Sequence, residues 1–396
     1  MKKPLDLYIH IPFCVRKCDY CDFLSAPADG GTKERYVSQL LEEIRQSVSE
    51  CGMPAGASMT AASDRFACEC EAAPTHSVLP SWDYEVSTVF IGGGTPSILP
   101  AGEIGRIMEL LRECFAWREQ PEITIEVNPG TLSAEKLAAY RNFGINRISL
   151  GLQSADDAEL QRLGRIHTWE QFLASFRLAR EAGFRNINVD LMSALPGQTA
   201  ADWRRTLEKV LALEPEHISA YSLIIEEGTP FHERYAEHPE LLPDEDEERR
   251  MYYDTKEILA ARGYARYEIS NYAKPGNACR HNLGYWERTD YRGYGLGAAS
   301  LLDNVRSSNT REMEAYLRGE FAGTSEILSE KDIREEYFFL GLRRMEGVDP
   351  GPYREHYATL FAKLGEQGLL EESGRYVRLT ERGIDVSNYV FAQFLE

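Results

Sequence analysis

The stretch Tyr8-Ile9-His10-Ile11-Pro12-Phe13-Cys14-Val15-Arg16-Lys17-Cys18-Asp19-Tyr20-Cys21 holds three of the chain's eight cysteines within eight positions. A first strand, Leu5 to Ile11, is expected to lead into it. Thiolates separated by three and then two residues can converge on one metal centre, and iron-sulfur clusters are held by closely spaced cysteines of this kind. Three ligands leave one corner of a four-iron cluster free. An open coordination position distinguishes a reactive metal site from a closed structural one, so the vacancy invites a small-molecule ligand. Arg16, Lys17 and Asp19 interleave the thiols, which does not suit three buried cysteines in a packed strand. Cys14, Cys18 and Cys21 are therefore the expected metal ligands.

At 396 residues the chain is long enough for one large domain and a smaller one. No stretch has the length and apolarity of a membrane span, and the N-terminus lacks the apolar core of a secretory signal. Clustered thiols without an export signal point to metal ligation in a reducing compartment, hence to a cytoplasmic protein. The formal net charge of -19 disfavours non-specific binding to nucleic acid or anionic membrane, and no nucleic-acid partner is expected.

Beyond the cysteine loop, Lys33 to Ser49 reads as an amphipathic helix with Tyr36, Val37, Leu40, Leu41, Ile44 and Val48 on one face. Residues 51–81, rich in Ala, Ser, Thr, Pro and Gly, read as a mobile surface insertion in which Cys68 and Cys70 are incidental thiols. A repeating unit follows. Strands are expected at Val86 to Ile91, Glu122 to Val127, Arg147 to Leu150, Asn186 to Leu191 and His217 to Ser222. Helices fit between them at Glu103 to Cys114, Ala134 to Asn142, Trp169 to Ala182 and Ala201 to Leu213. With the first strand this makes six βα units, an α/β fold forming a partial (β/α)6 version of the TIM-type barrel over residues 1–262.

In that architecture active residues gather at the C-terminal ends of the strands. Here those ends carry the cysteine loop, Gly92-Gly93-Gly94-Thr95-Pro96, Glu126 and Asn128, Gly151-Leu152-Gln153, and Asp190. Any one could be an ordinary turn. All five at the same end indicate a site. Three glycines let backbone approach a ligand closely, Glu126 and Gln153 suit ribose hydroxyls, and Arg165 suits a carboxylate.

Taken in order, the cysteine loop, Gly-Gly-Gly-Thr-Pro, Ile125-Glu126-Val127-Asn128-Pro129, Ser149-Leu150-Gly151-Leu152-Gln153-Ser154 and Asp190 before Leu195-Pro196-Gly197-Gln198-Thr199 resemble a known family. It is that of the radical S-adenosylmethionine (radical SAM) proteins of the oxygen-independent coproporphyrinogen oxidase type. The resemblance implies a [4Fe-4S] cluster on Cys14, Cys18 and Cys21 whose free iron is chelated by S-adenosyl-L-methionine. It further implies that Tyr8, Tyr20, Gly93, Gly94, Thr95, Glu126, Gln153, Arg165 and Asp190 line the S-adenosylmethionine site. Two departures separate the chain from the coproporphyrinogen dehydrogenases. Phe23 stands where they carry one more cysteine, and only seven residues precede Tyr8.

A third feature, His281-Asn282-Leu283-Gly284-Tyr285-Trp286, resembles the heme-chaperone branch, which implies heme as a ligand and heme-accepting proteins as partners, membrane respiratory enzymes among them. The aromatic-rich stretch at residues 263–324, with Tyr264, Tyr267, Tyr272, Tyr285, Trp286, Tyr291 and Tyr294, suits the face of a macrocycle. His281, expected in a polar loop, is its candidate axial ligand, and Arg280 could meet a propionate. Packing of these aromatics against the barrel is the competing reading. Cys279 reads as incidental, and Gly293-Tyr294-Gly295-Leu296-Gly297-Ala298 as close backbone packing.

Over residues 325–396 helices at Glu335 to Arg344 and Pro352 to Gln367, then a hairpin turning at Ser373-Gly374, suggest a small α+β winged-helix-like domain. A DNA-binding regulator is disfavoured, because Arg354 and Lys363 on its second helix are offset by Glu355 and Glu366. The chain thus reads as a heme-binding chaperone, the alternative being oxygen-independent oxidation of coproporphyrinogen III. A homodimer is compatible with either.

Overall fold

The computed structural model describes residues 2–49 and 83–395; the expected insertion at residues 51–81, with Cys68 and Cys70, lies outside the described residues. Six strands, β1 (Lys3–Ile11), β2 (Tyr84–Gly93), β3 (Trp117–Val127), β4 (Arg147–Gln153), β5 (Ile187–Ser193) and β6 (His217–Ser222), lie side by side in chain order, all parallel. They are linked by α1 (Gly30–Ser49), α2 (Ala101–Cys114), α3 (Ala134–Asn142), α4 (Asp157–Arg162), α5 (Trp169–Glu181) and α6 (Ala200–Leu211), and β6 is followed by α7 (Pro230–Tyr235) and α8 (Glu245–Ala261). This is the expected partial (β/α)6 barrel.

Strand alternation divides the residues between two faces. Leu5, Leu7, Ile9 and Ile11 of β1, with Ile123, Ile125 and Val127 of β3, pack in one apolar core with Val37, Leu40 and Ile44 of α1 and Ile107 and Leu111 of α2. The alternate positions carry Asp6, Thr88, Glu122, Asn188 and His217, which the register sets side by side as Asp6 with Thr88, Thr88 with Glu122, and Asn188 with His217. Burying such groups is costly without partners. Asn188 accordingly donates to Ser149 Oγ at 2.8 Å and to Asp190 at 2.7 Å, and its Oδ1 lies 2.6 Å from His217 Nδ1. The concave side is therefore a polar, hydrogen-bonded interior.

Residues 263–324 extend the sheet at both edges. β8 (Asn271–Ala273) adds antiparallel to β6 and β7 (Ala265–Arg266) adds antiparallel to β8, and α9 (Arg280–Trp286) leads into β9 (Tyr291–Tyr294), which pairs parallel with β1. β10 (Ala299–Leu302), β11 (Val305–Asn309) and, after α10 (Met313–Leu317), β12 (Ala322–Ile327) complete one twelve-stranded sheet. Here the expectation of a macrocycle-binding aromatic segment is corrected. Tyr264, Tyr272 and Tyr294 are buried core residues, because the edges of an incomplete barrel must be covered and aromatic side chains supply the area.

The C-terminal part comprises α11 (Glu330–Gly341), α12 (Ala358–Glu366), the hairpin β13 (Leu370–Ser373) and β14 (Tyr376–Leu379), α13 (Glu381–Asp385) and α14 (Ser387–Ala392). It has its own core, centred on Phe338, which stacks on Phe394 and meets Tyr357 edge-on, each at 4.9 Å. The hairpin turns through Gly374 at a φ of 63°, as its position predicts. The helix expected from Pro352 begins only at Ala358, since Pro350-Gly351-Pro352 favours the short 3-10 turn Gly351–Tyr353.

Candidate active site at the strand ends

The cysteine loop is tied to the neighbouring strand ends by backbone hydrogen bonds. Gly94 N donates to Ile11 O at 2.8 Å, Thr95 N to Phe13 O at 2.7 Å, Asp19 N to Leu163 O at 3.2 Å and Phe231 N to Asp19 O at 3.0 Å. The Asp19 carboxylate meets Arg234 at 2.7 Å and Arg16 at 3.8 Å, and a Cβ on Gly164 would come within 2.6 Å of it. The loop is thereby held with Cys14, Cys18 and Cys21 as half-buried free thiols beside a cavity of ≈ 460 Å³. Burial raises the Cys21 thiol above its ordinary range.

Eleven of the expected residues line this cavity, namely Cys14, Cys18, Cys21, Tyr20, Gly93, Gly94, Thr95, Glu126, Gln153, Arg165 and Asp190. The glycines serve a purpose other than the one expected. A Cβ on Gly93, at a φ of +108°, would lie 2.5 Å from the His10 ring, and one on Gly94 would lie 2.6 Å from Phe13 O. Their missing side chains let the cysteine loop pack on β2. Gly93 N donates to Glu126 Oε2 at 3.0 Å. Burial, with the Asp190 charge adding to it, pushes the Glu126 carboxyl up to about 8, while that N–H pulls the other way. Burial also raises Asp190, against hydrogen bonds from Asn188, Ser219 and Ser149.

Asn128, not assigned a role from sequence, joins the set together. Its side chain donates to Thr95 Oγ1 at 2.7 Å and accepts from Arg165 at 2.9 Å. Thr95 Oγ1 in turn lies 3.5 Å from Cys14 Sγ, and Arg165 lies 3.7 Å from Cys18 Sγ while also donating to Gly151 O. Two of the three sulfurs are thus met by donors that one amide aligns. The signal in the sequence was Asn128's place at a strand end. Tyr221, on the last of the six parallel strands, and exposed Phe23 and Ile224 also line the cavity.

Two buried polar atoms in the cavity wall, Gln153 Oε1 and Arg165 Nε, have no hydrogen-bond partner. Such atoms are costly unless something else satisfies them. With three clustered thiols, a buried guanidinium and a buried acid pair, the donor set fits an iron-sulfur cluster and a zwitterionic ligand.

Two expected residues lie elsewhere. Tyr8 sits one layer below the cavity, its hydroxyl 2.9 Å from His10 Nδ1 and its ring stacked on Phe90 at 6.4 Å. His281 is the larger correction, because it stands on helix α9 and not in a polar loop. It is 2 % exposed, with its ring stacked on Phe90 at 5.2 Å. Its Nδ1 is 2.6 Å from Thr88 Oγ1 and its Nε2 is 3.1 Å from Tyr285 OH. The Thr88 hydroxyl spends its one proton on Asp6, at 2.8 Å, so Nδ1 carries the imidazole hydrogen and Nε2 accepts from Tyr285. Burial and the Arg147 charge lower the ring to about 3, keeping it neutral. The one lone pair that could reach an iron is occupied. Arg280 is likewise engaged, donating to Gln120 O at 2.7 Å. The α9 cap closes the barrel at the N-terminal halves of its strands. Thr88 lies four residues before Gly92, roughly 13 Å from the cavity end. The sequence contains no sign of this, because a histidine in a helix cap and one in a ligand loop read alike.

Comparison with known proteins agrees with this geometry. Residues 79–210 match the radical SAM superfamily and residues 328–386 the HemN C-terminal domain. The heme chaperone HemW of Lactococcus lactis is 35% identical over 100% of this chain and 98% of its own length. Those of Haemophilus influenzae and Escherichia coli are 36% and 34% identical, each over 99% of this chain and 98% of theirs. Among solved structures, coproporphyrinogen III oxidase (HemN) from Escherichia coli, a radical SAM enzyme, superposes with a TM-score of 0.78 at 23% identity, covering 100% of this chain and 90% of that one. That likeness is one of fold.

Proposed function

The chain belongs to the HemW family of heme chaperones within the radical SAM superfamily, and from that premise we propose that it holds a [4Fe-4S] cluster, S-adenosylmethionine and heme, and passes heme to acceptor proteins. The observation that carries the cofactor part is the convergence of Cys14, Cys18 and Cys21 on a cavity whose wall contains Glu126, Gln153, Arg165 and Asp190. When bound, the cluster and S-adenosylmethionine supply one-electron reductive chemistry.

The chain's own residues hold and orient those groups. Arg165 sets its guanidinium beside a candidate cluster ligand, 3.7 Å from Cys18 Sγ. It also offers an unpartnered Nε–H to a carboxylate. Gln153 Oε1 and the Glu126 carboxyl are placed for ribose hydroxyls, and Gly93, Gly94, Thr95, Tyr20 and Asp190 complete the wall. Burial pushes the Glu126 carboxyl up to about 8, and a cationic ligand beside it would favour its charged form and gain a buried counter-charge. Heme leaves for acceptor proteins, membrane respiratory enzymes among them. Five free cysteines among the described residues are in keeping with a reducing cytoplasm, and no described helix is long and apolar enough to cross a membrane. The coproporphyrinogen oxidase alternative shares the cofactor face, the fold and the HemN C-terminal domain, but Phe23 leaves it without its additional cysteine.

The test is anaerobic reconstitution with iron and sulfide, followed by heme titration in the Soret region. Four irons per chain, lost in Cys14→Ser, Cys18→Ser or Cys21→Ser, and saturable heme binding are expected. A chain that takes up no heme refutes the chaperone reading.

A further inference from the structure

We propose that the heme seat is the mouth of the cluster cavity, with the macrocycle lying across Phe23 and Ile224 and its propionates toward Arg16 and Lys17. This rests on the heme-chaperone reading above and says where on the chain the heme sits.

Ten large apolar side chains are exposed among the described residues, and two of them, Phe23 and Ile224, each 67 % exposed, stand on the wall of the ≈ 460 Å³ cavity. Leaving two such side chains in water forgoes the gain of burying them, so their place at one cavity mouth marks a surface that something apolar covers. A flat macrocycle has the required chemistry. Charge selects the same ligand. On a chain of net charge -19, Arg16 and Lys17 line this mouth, and Arg16 is held only loosely by Asp19 at 3.8 Å, with its side chain 61% exposed. Asp22 and Glu226 share the rim, so two carboxylates on the ligand are steered to the Arg16 and Lys17 side, which fixes its orientation.

The competing seats are less suited. His281 and Arg280 are spent within the α9 cap. Another cavity among the described residues, ≈ 410 Å³ between α8 and the C-terminal hairpin, has Tyr272, Met345 and Ile384 on its wall, but its cations are already paired, Lys256 and Arg266 with Glu381 and Arg378 with Glu371. That leaves no free cation there for a propionate. A heme at the cluster mouth also covers the way in to the thiols, so heme occupancy and S-adenosylmethionine entry are coupled at one opening.

The test titrates ferric heme into the full-length, cluster-reconstituted chain and follows the Soret band for wild type, Phe23→Ser/Ile224→Ser, Lys17→Glu and His281→Ala. The double variant, altered only at exposed positions, is expected to keep its iron and sulfide content and bind heme at least tenfold more weakly, the order set by losing one large apolar contact. Lys17→Glu is expected to weaken binding severalfold, less so at high salt. His281→Ala, where it folds, is expected to keep wild-type affinity and spectrum. Wild-type affinity in the double variant overturns the seat while leaving the chaperone reading intact, as does loss of the Soret band in folded His281→Ala. No heme binding by wild type overturns the reading itself.

Discussion

Asn128 is the residue whose replacement tests the site most narrowly. Its amide aligns Thr95 and Arg165, which meet Cys14 and Cys18. Donors to cluster sulfurs favour the reduced state. Asn128→Ala is expected to keep a full complement of iron and to lower the cluster's midpoint potential by tens of millivolts, about what the ~1 kcal/mol of one loosened hydrogen bond corresponds to for a single electron. Potentiometric titration monitored by EPR reads this, and an unchanged potential removes the positioning role. Glu126 gives a pH signature. Its folded-state value of about 8 stands above the ordinary value of 4.5, so the folded state binds the extra proton and the associated stability is complete below about 4.5 and lost as pH rises through about 8. In the cofactor-free chain, urea midpoints are expected to fall between pH 5 and 8, and Glu126→Gln to flatten that fall.

At the scale of elements, the cysteine loop and the α9 cap behave as opposite ends of the barrel. Gly164, at a φ of +73°, lies where a Cβ would strike Asp19 Oδ1. Gly164→Ala is expected to displace the loop and reduce iron incorporation while the unfolding transition moves by only ~1–2 kcal/mol; full iron content would show that the loop tolerates the shift. In the α9 cap, His281→Ala strands Thr88 and Tyr285 in the interior, which is expected to cost about 2–4 kcal/mol in urea unfolding. A cost below half a kcal/mol would mean that His281 is not a structural residue.

Across the whole molecule, the C-terminal domain is pinned to the sheet through Glu336 of α11, which meets Arg288 at 2.9 Å and also Arg306 of β11. Glu336 and Arg288 are nearly buried, with side chains 6% and 10% exposed, so removing the carboxylate leaves an uncompensated charge. Glu336→Ala is expected to destabilise by about 3 kcal/mol, with hydrogen exchange in α11 to α14 rising before that in β1 to β6. Uniform loss of protection would mean that the two parts unfold as one unit.

The six βα units were legible because apolar runs of strand length alternate with helical periodicity, and the site was legible because that architecture puts every loop from Cys14 to Asp190 at one end. The three clustered cysteines were singled out by their spacing. Neither Asn128's role nor the fate of His281 was legible, for the same physical reason. Both depend on which groups from distant strands fill a side chain's hydrogen-bonding capacity, and that is set by strand register across the sheet. From sequence alone the chain reads as a radical SAM barrel with three thiols spaced to hold a cluster. Only the tertiary structure decided that the histidine beside all those aromatics is a sealed part of the core, and that two of the exposed apolar side chains, Phe23 and Ile224, stand on the wall of the cysteine cavity.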